Sequence, residues 1–237
     1  MTLKNKLIVL LVLPLAGIVF LGTRSYFRSS GTSTEMADFK QLPRLASRIG
    51  NLVHESQKER GTTAGYLSSK GKNFSKALPT QREQTDKRIA EMREFLATFD
   101  VAPYSDKFRS TLDDAVTLLD AIADKRKAVT SQQISTSDAV AYYTSMNSRF
   151  LDLIALSAGL TSDSGMSVQI AAFVNVLQAK ERAGIERAVL TGAFAADRFT
   201  PEAYARFNSL VTTQETYFRT YRSTAPTNDL AAFDKTL

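Results

Sequence analysis

Residues 42–69, LPRLASRIGNLVHESQKERGTTAGYLSS, decide the fold. Leu45, Ile49 and Leu52 advance by four and three, and the rhythm runs on through Ser56, Arg60, Thr63 and Leu67. The stretch is therefore one long amphipathic helix whose inward seam turns polar at its middle. Val53, Arg60 and Leu67 also lie one heptad apart, so an arginine stands where its neighbours on the same face are apolar. A guanidinium cannot shed its proton and must keep its hydrogen bonds, so Arg60 needs a partner: Glu59, another acid of the bundle, or a bound anion. On spacing alone the internal carboxylate is the commoner answer. The next residues include Gly61 and Gly65, each costing about 1 kcal/mol against alanine inside a helix. Small residues there let another backbone or a small ligand come close.

Outward from this stretch the periodicity stays helical, and no period-2 strand is found. The spacing predicts helices over Leu42–Ser69, Lys76–Phe99, Ser105–Val129, Ser137–Leu160, Met166–Ala195 and Pro201–Ser223, read as an up-and-down bundle. Ile89, Met92, Leu96 and Phe99 stripe the second, Phe108, Leu112, Ala115, Leu119 and Ile122 the third, and Tyr143, Met146, Phe150 and Leu153 the fourth. Such stripes are core by default. Thr200-Pro201-Glu202 supplies a capping hydroxyl, a proline at the first helical position and an acid in the positive first turn. Lys58-Glu59-Arg60-Gly61 is echoed by Lys180-Glu181-Arg182-Ala183, which continues Gly184-Ile185-Glu186-Arg187. Both copies set an acid–arginine pair among small residues, a weak signal by itself.

The 237 residues contain no cysteine and one histidine, His54. That removes disulfide frameworks, cysteine nucleophiles, Ser/His/Asp triads and most zinc or iron sites, so no catalytic residue, metal ligand set or cofactor is assigned, and the chain is not read as an enzyme. An apolar run from Leu7 to Leu21 lies between Lys4, Lys6 and Arg24, Arg28. It predicts a transmembrane anchor over 1–28 with a cytoplasmic N-terminus, a cleaved signal peptide being the rival. Residues 29–237 would then be periplasmic. Without the four flanking charges, 26 basic face 24 acidic residues, so no basic face for nucleic acid is expected.

His54-Glu-Ser-Gln-Lys-Glu-Arg-Gly-Thr-Thr-Ala-Gly-Tyr-Leu, then Gln81-Arg-Glu-Gln-Thr-Asp86, and later Ala179-Lys-Glu-Arg-Ala-Gly-Ile-Glu-Arg187, resemble the nitrate- and nitrite-sensing (NIT) domain over roughly residues 40–237. The resemblance implies an all-α fold of long antiparallel helices, in two stacked four-helix bundles, and a homodimer. It implies an extracytoplasmic nitrate- or nitrite-sensing region of a bacterial receptor, a methyl-accepting chemotaxis receptor or sensor kinase, held at the inner membrane. It also implies that Arg60 with Thr62 or Thr63, beside Gly61, and Arg182 or Arg187 on the later helix hold a small inorganic anion. Nitrate is planar, and a guanidinium fork gives it two parallel hydrogen bonds, with a threonine hydroxyl adding another. Two copies of Arg60 facing one anion across a dimer axis is the expected assembly. Family members continue beyond a segment like Phe233–Leu237 into further helices, a second span and a signalling domain, so the chain is expected to stop short. The alternative function is a membrane-tethered helical scaffold without a small-molecule ligand.

Overall fold

A computed structural model describes residues 41–161, 163–195 and 198–235. The compact unit begins at Pro43. The helices are α1 (Gln41–Ser68), α2 (Ala77–Leu96), α3 (Asp106–Asp120), α4 (Ile122–Thr130), α5 (Thr136–Ala158), α6 (Ser164–Ala195), α7 (Pro201–Thr224) and α8 (Thr227–Phe233). Among the described residues there is no strand. None of the helices described is long and apolar enough to cross a membrane, and the run Leu7–Leu21 and the boundary at residue 28 lie outside the described residues.

Helix ends follow the local chemistry. Ser105, Ser135 and Thr200 sit in extended backbone before α3, α5 and α7, and each side chain accepts the amide hydrogen three residues on, from Phe108, Asp138 and Ala203. These bonds satisfy amides that the first helical turn leaves free. Pro201 follows Thr200 at the start of α7, where its missing N–H removes nothing. Thr200→Ala is expected to cost about 1 kcal/mol, seen as faster amide exchange in the first turn of α7. The predicted third helix is divided at Ala121, a single turn residue with ψ −6° between α3 and α4. The short α8 after Pro226 adds an element that the periodicity did not mark.

Helices α1, α2, α3 and α5 each bury one stripe. In α2 it is Leu78, Gln81, Thr85, Ile89 and Met92; in α3 Phe108, Thr111, Leu112, Ala115 and Leu119. Helix α5 contributes Tyr143, Met146, Phe150, Leu153 and Ile154 among others. The α1 seam is buried from Leu45 through Ile49, Leu52, Ser56 and Arg60 to Thr63. Burial at helical spacing is the main stabilising force here, at about 25 cal/mol per Å² of apolar surface.

Contacts fix the directions around α1. Arg48 bonds Glu91 at 3.0 Å and Gln81 bonds Glu55, so numbers fall along α2 as they rise along α1. Ser56 meets Asn147 and Glu59 meets Tyr143 in the same descending order on α5. Against α6 the numbers rise together: Gly50 beside Phe173, His54 with Lys180, Gln57 with Glu181, Arg60 beside Gly184. Helix α1 is therefore antiparallel to α2 and α5 and parallel to α6.

Candidate functional site

Successive residues of a helix point about 100° apart, and at the middle of α1 this sends two opposite charges to different neighbours. Glu59, fully buried, turns toward α4 and α5. Its Oε1 accepts from Arg126 Nε at 2.7 Å and from the Tyr143 hydroxyl at 2.7 Å, and its Oε2 accepts from Arg126 Nη2 at 2.8 Å. Arg82 Nε stands 3.9 Å away and Arg126 also reaches Asp86 Oδ1 at 2.5 Å. Burial raises the carboxyl of Glu59, but the hydrogen bonds and charge of Arg126, with Tyr143, outweigh it and leave the group below its ordinary value. Burial and the neighbouring Glu59 charge push the Tyr143 phenol up, so it remains a donor.

Arg60 turns the other way, toward α5 and α6. Its side chain and that of Glu181 are each 2% exposed. Arg60 Nη1 donates to Glu181 Oε1 and, at 2.9 Å, to Thr144 Oγ1; Nη2 lies 3.4 Å from Glu181 Oε2. Gln57 Nε2 donates to the same Oε2 at 2.7 Å. The carboxylate thus sits among donors from α1. Gly184 makes room for this: a Cβ there would stand 2.7 Å from Arg60 Nη2. One turn along, Lys180 Nζ is 2.8 Å from His54 Nδ1, and burial together with Lys180 lowers the histidine. The two echoed segments of the sequence are therefore the two sides of one contact.

The other residues singled out in the sequence are spread around this pair. Thr63 Oγ1 is buried with no well-formed hydrogen bond, close to Tyr143. Thr62 turns its hydroxyl back to the carbonyls of Lys58 and Glu59 at 3.1 and 3.0 Å. Gly61 is exposed with open space over its Cα, whereas Gly65 is covered by the Phe74 ring, which any Cβ would strike. Arg182 lies over the Tyr217 ring of α7, 5.6 Å from its centroid, and Arg187 is exposed. Arg60 and Thr63 share the inward face, but Arg182 and Arg187 do not join them. Sequence reasoning missed Glu181, Gln57, Thr144 and Gly184 around Arg60, and Arg126 and Tyr143 around Glu59. The echoed Lys-Glu-Arg segment held the one available signal.

Within one chain the polar groups at the middle of α1 find partners, Arg60 on Glu181 and Glu59 on Arg126.

The family model described as "Nitrate and nitrite sensing" matches residues 51–237. The chain belongs to that family, as the resemblance of the segments His54–Leu67, Gln81–Asp86 and Ala179–Arg187 implied. It is similar to the "Nitrate regulatory protein" of Klebsiella oxytoca, 25% identical over 203 residues that make up 84% of this chain and 50% of that protein. Its fold is similar to the structure of the NasR transcription antiterminator, with TM-score 0.83 at 22% identity over 90% of this chain and 59% of that one. The chain thus spans about half the length of the curated relative it matches.

These findings correct two expectations. The expectation of a single-pass inner-membrane protein with a periplasmic sensor domain is contradicted by the relatives, a nitrate regulatory protein and a transcription antiterminator. The exclusion of nucleic acid, with the inner membrane as partner, falls for the same reason: an antiterminator acts in transcription. A near-neutral charge sum describes this chain's average surface and does not decide what a regulator containing such a domain acts on. The relatives are regulators by name, not enzymes.

Proposed function

We propose that the chain is a sensing domain that binds nitrate or nitrite through Arg60 and passes a helix displacement to the rest of a bacterial regulator. Family membership supports the ligand class. The observation that carries the site is the buried fork of Arg60, which with the Gln57 amide already surrounds a planar, oxygen-bearing anion in the form of the Glu181 carboxylate. Thr63, buried with its hydroxyl uncommitted, stands one turn along the same face to add a donor. Thr62, Gly61, Arg182 and Arg187 lie off this buried face and would join the anion only after the helices shift. In this reading the long helices belong to two stacked four-helix bundles, α1 running antiparallel to α2 and α5 and parallel to α6. The effect on transcription that the antiterminator's name states is proposed for this chain only as part of a longer regulator.

Calorimetric titration of the chain with nitrate, nitrite and chloride tests the reading. Binding of nitrate or nitrite but not chloride is expected. Arg60→Lys keeps the charge and loses the fork, so affinity should fall about tenfold while circular dichroism stays helical. Thr63→Val should lose about 1 kcal/mol of binding, one hydroxyl hydrogen bond. A folded chain that gives no heat with any anion supports the scaffold reading instead.

A further inference from the structure

Resting on that reading of the site, we propose that Glu181 is an internal competitor: its carboxylate occupies the anion's place on Arg60, and an incoming nitrate or nitrite displaces it. A carboxylate and these anions share a planar trigonal or bent centre with oxygens able to take two parallel N–H bonds. The donors that reach the Glu181 oxygens come from α1, two nitrogens of Arg60 and the amide of Gln57. That donor set serves an inorganic oxyanion as well as it serves the side chain. Gly184 keeps the guanidinium seated on α6, because any Cβ would strike Nη2.

Displacement has a structural consequence. Glu181 is nearly inaccessible and sits in the interior of α6, so a released carboxylate cannot remain beside a second anion. It must reach water, which requires α6 to rotate or slide against α1 near Arg60. Two states then exist, one with Arg60 on Glu181 and one with Arg60 on the ligand, and the ligand favours the second only by binding it better. Parallel α1 and α6 are joined at this level by Gln57, Arg60, His54 and Lys180, so the exchange loosens contacts that hold their register.

The test is titration of wild type and Glu181→Gln with sodium nitrate. The replacement amide keeps the shape of the carboxylate and removes its competing charge, so nitrate affinity should rise by about tenfold, within the range of ordinary coupling between two ligands of one site. Nitrate binding to wild type with no gain in a folded Glu181→Gln chain overturns the exchange while leaving the sensing reading intact. No nitrate binding to either folded chain overturns both. A second measurement uses the wild type and does not depend on the variant folding: carbodiimide labelling of carboxyls read by mass spectrometry. Glu181 should be protected without ligand and labelled at saturating nitrate but not at equal chloride. Continued protection of Glu181 at saturating nitrate overturns the proposal.

Discussion

Glu59→Ala is expected to lower the stability of the fold by about 3–5 kcal/mol, the usual cost of removing one partner from a buried ion pair. Arg126 is the reason. It gives Nε and Nη2 to the two oxygens of Glu59, and its side chain is 13% exposed, so removal of the acid strands a guanidinium that cannot be neutralised. Tyr143, fully buried on α5, loses its acceptor at the same time. A urea titration by circular dichroism reads the loss as a lower midpoint with an unchanged slope. The pH dependence has a definite sign. Because the folded carboxyl titrates below its ordinary value of 4.5, its contribution is complete above that pH and is lost as pH falls through the lower folded value. Acid unfolding of wild type should therefore begin below about pH 4.5, and Glu59→Ala should lack that part of the dependence. A variant as stable as wild type at neutral pH would show that Arg126 is held by Asp86 alone.

The course of α1 was legible because helical periodicity states which residues face inward, and the seam from Leu45 to Thr63 is buried as its rhythm requires. The same information cannot name a partner. Arg60 and Glu181 lie 121 positions apart, and Glu59, the nearest acid, is turned by one helical step toward α4. The glycines show a similar boundary. Two of them after Arg60 signal close approach, but only the structure shows that Phe74 covers Gly65, that Gly61 is open, and that the close approach to Arg60 is made by Gly184 on another helix. Ala121 ends α3 without any residue that discourages a helix, so nothing in the sequence marks that break. The cap at Thr200 was readable because its hydroxyl acts within three residues of itself, whereas Ser105 and Ser135 cap helices without having been singled out. The anchor and compartment rested on a charge pattern at residues 4–28, outside everything the helices of the domain determine.

The Arg60–Glu181 pair carries the second large effect, and a double replacement separates its stabilising role from its function. Arg60→Met or Glu181→Leu alone leaves a buried charge without its partner and should cost about 3–5 kcal/mol each. Arg60→Met with Glu181→Leu removes both charges and puts apolar groups of similar reach in their place. Buried pairs exchanged in this way are often neutral or stabilising, so the double variant should recover most of the single losses, a coupling of several kcal/mol on a double-mutant cycle. Gln57 and Thr144 limit the recovery, since their polar atoms lose partners when the pair goes. If the pair served only to hold α1 against α6, apolar packing in its place would cost the domain nothing in function. The double variant should instead be folded, helical and unresponsive to nitrate in a thermal melt, where wild type shifts upward with ligand. A nitrate-dependent shift retained in the double variant would place the anion elsewhere, among Arg182, Arg187 or the basic side chains of the α2–α4 face.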